Sequence, residues 1–318
     1  MRTYVRLLKR FWEIRQDYDI MVVGYPGQFD VYLARILTWT YRKPLAWDIF
    51  MSIYLIAVER NLDKASPFVV KAIQYIERLA CRLPDLLIID TQEYASWFEK
   101  MHGIPSTRFL LVPTGADTSR FNLLPTIQIP SDRFPILYYG TFIPNHSVLT
   151  IVEAAKLLAD DKSIVFMLVG DGPERDKAEQ MVKSLKLTNI EFIGWLGIKE
   201  LQVLVSQSEV CLGAFGTTPQ SLMTVQNKIY EGLAMGKPVL TGDGPAVRAS
   251  FRHGEHLHLC PRADPSALAE SIRFLKNNPD YRRQLGSQGH KYFMEHFTIE
   301  HLGGVFVEAL YEVAFPDS

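Results

Sequence analysis

The chain has few cysteines and no long hydrophobic run. Its three cysteines, Cys81, Cys211 and Cys260, lie far apart in 318 residues, with no CxxC or histidine-rich sequence beside them. This spacing argues against a structural zinc site and is typical of reduced thiols in the cytosol. No stretch reaches the roughly 18 apolar residues of a transmembrane helix, and no signal peptide is recognisable. We therefore expect a cytoplasmic protein that needs no metal.

The chain also lacks an excess of charge of either sign. Its formal net charge is -1, which argues against nucleic-acid binding because such proteins present a strongly basic surface. A hydrophobic fraction of 47% and a charged fraction of 22% are those of an ordinary globular protein. Since 318 residues exceed the usual size of one hydrophobic core, we expect two domains.

The second half of the chain alternates short apolar runs with segments of helical periodicity. Six runs read as buried strands, at residues 135–139, 164–169, 190–193, 210–214, 238–240 and 257–260. Helix-length segments such as 148–158 and 175–185 lie between them. This alternation predicts a parallel sheet with helices on both faces, hence a Rossmann-like domain over residues 135–290. Residues 291–318 read as further helices.

The first half repeats this pattern less completely. We predict a first domain over residues 1–124, with strands at residues 20–23, 44–47, 86–90 and 109–112. Four strands are few for half of a doubly wound fold, so we expect this sheet to be incomplete. Residues 125–134 include Pro125 and Pro130 and read as the linker between the domains.

Glycine-bearing loops follow five of the six strands predicted in the second half. They include Gly140, Gly170, Gly172, Gly194 and Gly216. Carboxyl ends of parallel strands meet at one edge of a sheet, where glycines let backbone N–H groups approach an anion closely. The segment Gly170-Asp-Gly-Pro173 has Arg175 where a dinucleotide fingerprint has its third glycine, which argues against NAD. It is either a tight strand-to-helix turn or the lining of a nucleotide pocket.

Lys228 and Glu231 share one face of a predicted helix that precedes a Gly-Lys-Pro turn. Two interpretations are open. The pair is a surface salt link worth a few tenths of a kcal/mol, or it faces a ligand, with the lysine on phosphate and the carboxylate on ribose hydroxyls.

Five segments in series resemble the retaining GT-B glycosyltransferases of the group 1 family. They are residues 112–121 (VPTGADTSRF), 139–144 (YGTFIP), 168–173 (LVGDGP), 190–195 (IEFIGW) and 227–239 (NKIYEGLAMGKPV). The resemblance implies an α/β fold of two facing Rossmann-like domains. It also implies that the second domain holds a nucleotide-diphosphate sugar and the first receives the acceptor, with no cofactor and no metal. The last helix of the family crosses back to the first domain, which residues 291–318 could do.

The resemblance assigns donor-binding roles to individual residues. Glu231 corresponds to the glutamate that binds the donor ribose, and Lys228 and Asn227 would contact the diphosphate. Gly140 and Thr141 correspond to the phosphate-side loop. Gly170 and Gly172 belong to the second glycine loop, and Gly172 and Trp195 would line the base pocket.

Three departures from the family pattern weaken particular expectations. Met223 stands where the family often has an earlier glutamate, which leaves sugar recognition in doubt. Thr141 and His146 replace a phosphate-binding arginine and lysine, and a half-charged histidine would hold a diphosphate less firmly. The chain opens with a helix, residues 2–15, instead of a strand and glycine-rich loop. We therefore expect an N-terminally truncated domain, whose missing part is lost, left out of the sequence or supplied by a partner chain.

Two features of the first half concern the acceptor and the membrane. Asp48 follows a predicted strand, where the family often has a His or Asp near the transferred sugar; it is either a catalytic residue or an ordinary helix cap. The first helix carries Arg6, Lys9 and Arg10 beside Leu8 and other apolar residues. Such a basic amphipathic helix either lies on the inner face of an anionic membrane or packs as a surface helix.

These features favour a glycosyltransferase that moves a sugar to an acceptor hydroxyl with retention. The resemblance places it in the synthesis of cell-surface glycans or polysaccharides, with a glycan or lipid-linked acceptor. The alternative is a non-catalytic or partner-dependent homologue that only binds nucleotide sugar. A phosphorylase or sugar-nucleotide epimerase of similar shape is disfavoured, because no lysine-bound cofactor site is evident for the former.

Overall fold

A computed structural model describes residues 2–124 and 132–316 of the chain. The chain divides into two compact units. The first comprises Met1–Val112 together with Gly303–Ser318, and the second comprises Pro113–Leu302. The division thus falls after residue 112 rather than in the predicted linker, most of which lies outside the described residues.

The first unit contains a four-stranded parallel sheet. Its strands run in the order β1-β2-β3-β4, with bounds β1 Met21–Val23, β2 Leu45–Asp48, β3 Leu86–Ile89 and β4 Phe109–Leu111. Its helices before β4 are α1 Arg2–Ile14, α2 Asp30–Tyr41, α3 Ile53–Glu59, α4 Leu62–Ala65, α5 Pro67–Ala80 and α6 Gln92–His102. The central strands β2 and β3 are the most deeply buried because they have a neighbour on each side.

The second unit contains a six-stranded parallel sheet in the order β10-β9-β8-β5-β6-β7. The strands are β5 Phe134–Tyr139, β6 Ile164–Val169, β7 Ile190–Ile193, β8 Val210–Leu212, β9 Val239–Gly242 and β10 His258–Cys260. Its helices are α7 Val148–Leu157, α8 Arg175–Ser184, α9 Ile198–Ser206, α10 Pro219–Met223, α11 Asn227–Ala234, α12 Pro245–Ser250, α13 Pro265–Asn277 and α14 Pro279–His296. The last helix, α15 Ile299–Ala314, runs across the division between the units.

Alternating side chains of the second sheet enter two separate cores. Ile136 and Tyr138 of β5 point to one face and join a core that includes Phe166. Leu137 and Tyr139 point to the other face and join a core that includes Ile229 of α11. Because successive side chains of a strand point to opposite faces, a sheet covered on both sides must be apolar along its whole strand. This explains the continuous apolar runs in the sequence.

All ten predicted strands are present, and the α/β fold with two parallel sheets is confirmed. The differences between the predicted and the observed strands lie at the strand ends. Asp48 is the last residue of β2 rather than the residue after it, and Phe134 opens β5 instead of closing a linker. The three cysteines are buried and free. None of the helices among residues 2–124 and 132–316 is long and apolar enough to cross a bilayer.

Candidate functional site

The loop after β5 begins with a glycine that lies against a lysine from α11. Gly140 has φ 139°, a conformation that side chains with a Cβ rarely adopt. A Cβ placed there would lie 3.1 Å from both Cε and Nζ of Lys228. The predicted phosphate-side loop and the predicted phosphate-binding lysine are therefore in direct contact.

The loop after β6 packs backbone to backbone on the loop after β5. A Cβ at Gly170 would lie 2.1 Å from the carbonyl oxygen of Gly140, and one at Gly172 would lie 2.7 Å from the backbone nitrogen of Phe142. Both glycines also have positive φ. The Gly170-Asp-Gly-Pro173 segment is thus a tight turn, and its glycines also bring the two loops together at the carboxyl edge of the sheet.

Lys228 is not part of a surface salt link. It lies in the first turn of α11 and is 6% exposed. Its Nζ lies 3.4 Å from both ring nitrogens of His146 and 5.0 Å from the centre of the Tyr138 ring. Burial lowers its pKa to about 7, although Glu231 acts in the opposite direction. The site therefore holds an amine that is only partly protonated near neutral pH.

His146 is held as a neutral imidazole. Its Nδ1 lies 2.7 Å from the carbonyl oxygen of Thr141, which can only accept, so Nδ1 carries the proton. This leaves Nε2 to accept from the Lys228 ammonium. Burial, and after it the charge of Lys228, lower the pKa of His146 to about 3. The expectation of a half-charged histidine is corrected: at pH 7 the ring carries no positive charge for a phosphate.

Glu231 lies in the interior of α11, one turn after Lys228, and is part-buried. Burial raises its pKa, while a hydrogen bond from Tyr139 and the Lys228 ammonium lower it. The Tyr139 hydroxyl also lies 3.3 Å from the Lys228 carbonyl oxygen. The carboxyl group is therefore fixed by a tyrosine from β5, beside the loop that contains Gly140.

The other predicted donor residues stand at the same edge but are more open. The side chain of Thr141 and that of Asn227, at the start of α11, are exposed. No side chain caps α11 at Gln226, so its first N–H groups are not satisfied by a cap. Trp195 follows the outermost strand β7 and is 62% exposed. Met223, in place of the family's earlier glutamate, is buried.

Arg262, which the sequence analysis missed, ties three loops of this edge together. It follows β10, and its Nη1 donates to the carbonyl of Gly216 at 2.9 Å and to Oγ of Ser221 at 2.9 Å. Its Nε donates to the carbonyl of Asp243 at 2.6 Å. Burial lowers its pKa to about 10, so it stays charged at pH 7. In the sequence, the feature that could have indicated Arg262 is its position two residues after a predicted buried strand.

Asp48, the predicted catalytic residue, belongs to the first unit. It ends β2 and is part-buried, and burial raises its pKa while a hydrogen bond from the Phe50 N–H lowers it. Asp48 does not cap α3, because Ser52 accepts the capping bond from Leu55 N. Among the described residues, no group of three acidic, histidine or cysteine side chains could hold a metal ion.

Comparison with known proteins identifies the segment that contains this site. Residues 133–278 match the family of glycosyl transferases group 1. This segment belongs to the group 1 glycosyltransferases. It includes all the strands of the second sheet, together with α11 and the two packed glycine loops.

Curated relatives match at low identity. The chain is 25% identical over 180 residues to the lipopolysaccharide core biosynthesis glycosyltransferase LpsD of Rhizobium meliloti, a match that covers 54% of this chain and 48% of that protein. It is 22% identical over 312 residues to the O-antigen chain mannosyltransferase C of Escherichia coli, which covers 95% of this chain and 78% of that protein. The chain thus spans about half the length of the first of these relatives.

Solved structures share the fold across the whole chain. HepE from Anabaena, solved in complex with UDP, superposes with a TM-score of 0.76 at 16% identity. The match covers 96% of this chain and 82% of HepE. The chain therefore has the GT-B fold.

Proposed function

We propose that the protein is a glycosyltransferase that moves a sugar from a nucleotide-diphosphate sugar to an acceptor hydroxyl, in the synthesis of polysaccharide or lipopolysaccharide. One observation carries the proposal. Lys228 is buried against Gly140 and His146 at the start of α11, with Glu231 one turn further along the same helix. The names of the relatives, which act in lipopolysaccharide core and O-antigen synthesis, support the direction of this proposal.

The donor diphosphate would bind where the positive charges of this edge converge. Uncapped N–H groups at the start of α11 and the partial positive charge of a helix N-terminus suit a phosphate. A bound diphosphate would also favour the protonated form of Lys228, whose pKa is held near 7 by burial. Since His146 is neutral, this lysine would supply the full charge that the loop after β5 lacks. Glu231 would accept hydrogen bonds from ribose hydroxyls. The UDP bound to the structurally similar HepE supports a uridine donor.

We propose that the reaction proceeds with retention at the anomeric carbon. The bond between the anomeric carbon and the diphosphate oxygen breaks, and the acceptor oxygen forms the new glycosidic bond. The acceptor proton passes to the departing phosphate oxygen. Charge accumulates on the diphosphate as the bond breaks, so Lys228 and the N–H groups of α11 would stabilise the transition state more than the ground state.

A thermal-shift screen of nucleotide-diphosphate sugars tests donor binding. A ligand at about 100 times its Kd stabilises a protein by about 2.7 kcal/mol, so one nucleotide series should raise Tm clearly. Glu231→Ala should lose this stabilisation. Glu153→Ala, at an exposed position on α7, is the matched control and should keep it. If no nucleotide sugar raises Tm in the wild type, the proposal is refuted.

Transfer assays then separate the enzyme from its alternative. Release of nucleotide from the stabilising donor, with hydroxyl acceptors present, is expected for the enzyme. A homologue that only binds nucleotide sugar, or that needs a partner chain, would show the thermal shift without release of nucleotide.

We further propose that α1 contacts anionic membrane surfaces, as suits a lipid-linked acceptor. Tyr4, Leu7 and Trp12 of α1 are all more than two-fifths exposed, and basic side chains lie beside them. Apolar side chains that enter the interface and cations that meet lipid phosphates are the two contributions to such binding.

A further inference from the structure

The last helix, α15, has an apolar and acidic face that the described part of the chain leaves exposed. Residues four positions apart lie on the same face of a helix. Val307 and Tyr311 form one such row and are 63% and 57% exposed. Glu308 and Glu312 form the adjacent row and are also exposed. The opposite side of α15, which includes Phe306, is part-buried. The helix therefore packs on one side and is uncovered on the other.

Two adjacent glycines make this uncovered face concave. Gly303 and Gly304 lie inside α15, and a Cβ built on either would meet no atom within 4 Å. Glycine weakens the interior of a helix relative to alanine, and no close contact among the described residues requires it here. The face forms an open groove of about 710 Å³, the α15 groove, which is lined by Gly303, Gly304, Val307, Glu308, Tyr311 and Glu312. Grooves between such rows are where the side chains of a second helix pack.

The charges of the α15 groove indicate what it could bind. α15 carries three glutamates and neither lysine nor arginine. Glu308 and Glu312 have no hydrogen-bond or ion-pair partner within residues 2–124 and 132–316. Like charges four residues apart on a helix repel, and Glu312 lies in the last turn, where the helix dipole disfavours a negative charge. A partner that fits this groove must therefore offer cations together with apolar side chains.

The first helix of the chain, α1, offers both kinds of side chain. Arg6 and Arg10 are exposed and lie one helical turn apart, which is also the spacing of the two glutamates. Arg6 has no hydrogen-bond or ion-pair partner in the described chain, and Arg10 pairs with the exposed Glu13 of its own helix. Leu7, beside Arg6, is 55% exposed. The exposed surface of α1 is thus complementary to the α15 groove in charge and in apolar character.

We propose that the α15 groove binds α1 of a second copy of this chain. Arg6 and Arg10 of one copy face the two glutamates of the other, and Leu7 packs on the row formed by Val307 and Tyr311. The same contact made in both directions gives a closed two-fold dimer. The membrane contact proposed above uses the same helix, so the dimer and the membrane-bound chain are alternative states. The inference does not depend on the proposed sugar transfer.

Sedimentation equilibrium of the full chain tests whether the dimer exists. We expect a reversible equilibrium between monomer and dimer in the micromolar range. The dissociation constant should rise with ionic strength, because salt screens charge pairs at an exposed interface. A chain that stays monomeric throughout the micromolar range at low salt would overturn the inference, as would a dimer whose dissociation constant is indifferent to salt.

Charge reversal on α15 tests whether the dimer uses the groove. Glu308→Lys combined with Glu312→Lys places like charges opposite the two arginines and should raise the dissociation constant about tenfold or more. Glu153→Lys combined with Glu295→Lys is the matched control, because it makes the same change of net charge at exposed positions of α7 and α14. The control should dimerise like the wild type. If the two double variants have the same dissociation constant, the dimer does not use the α15 groove and the proposal is wrong.

A charge swap identifies the partner helix. Arg6→Glu combined with Arg10→Glu should weaken the dimer as the reversal on α15 does. A chain that carries both reversals, on α1 and on α15, again has opposite charges across the contact and should recover the dimer. A protein weakened in some general way would not recover. Gly304→Ala fills the groove and should also weaken the dimer, while Tm of the monomer stays the same or rises because alanine favours a helix. Failure of the charge swap to restore the dimer, in a variant that keeps the wild-type Tm, would refute the assignment of α1.

Discussion

The substitution Lys228→Met tests the central claim about the donor site, because it removes the buried amine and keeps most of its volume. A pKa of about 7 in place of 10.5 means that burial disfavours the ammonium by about 5 kcal/mol. The variant no longer carries this penalty. We expect it to be at least as stable as the wild type at pH 7, and to lose stabilisation by a nucleotide diphosphate.

The sign of the pH dependence follows from the lowered pKa. Between pH 7 and 10.5 the unfolded chain binds a proton at Lys228 that the folded chain does not bind. The free energy of unfolding must therefore rise with pH in this window. For this group the rise is about 2 kcal/mol between pH 7 and pH 9. In Lys228→Met this contribution should vanish, whereas a partly buried carboxyl group would contribute at lower pH.

Urea unfolding at pH 7, 8 and 9, with and without UDP, measures both effects. Lys237→Met is the matched control, because Lys237 is a part-buried lysine that donates to the carbonyls of Ser206 and Ser208 at 2.6 and 3.0 Å. It should lose stability at each pH and keep its response to UDP. If Lys228→Met shows the wild-type pH dependence and the wild-type response to UDP, the argument for a phosphate-binding lysine fails.

Three further predictions concern the fold and the membrane. Gly170→Ala should lower the free energy of unfolding by about 3 kcal/mol or more, because its Cβ would lie 2.1 Å from the Gly140 carbonyl oxygen. A Cβ at Gly194 would meet no atom within 4 Å, so Gly194→Ala should cost little. Urea unfolding measures both. Arg262→Lys keeps the charge but not the geometry of several donated hydrogen bonds, so denaturation should show a loss of about 1–3 kcal/mol; an unchanged midpoint would contradict the structural role of Arg262. Trp12→Ala should reduce co-sedimentation with anionic vesicles, whereas Trp39→Ala, an exposed tryptophan of α2, should not.

The strands could be predicted from sequence because burial on both faces leaves an unmistakable signal. In a sheet such as the second one, every side chain of β6 from Ile164 to Val169 must be apolar, and a run of this length followed by glycine has few other interpretations. The ends of the strands were harder to predict than their presence. Asp48 reads as the residue after a strand because it is charged, yet backbone hydrogen bonding extends β2 to include it.

The site was predicted in part, and what was missed depends on distance and burial. Gly140 and Lys228 are 88 residues apart, and resemblance to a known family linked them where spacing could not. The neutral state of His146 could not be read from sequence, because it follows from the depth of the ring and from Lys228 beside it.

The proposed donor site depends on the charges around one amine. Burial lowers the pKa of Lys228 to about 7 although Glu231 acts in the opposite direction, and the neighbouring His146 ring is neutral. A buried amine of this kind is a cost to folding. A diphosphate bound at the start of α11 would favour the charged form of the amine, so the proposed sugar transfer would account for a cost that the fold alone does not explain.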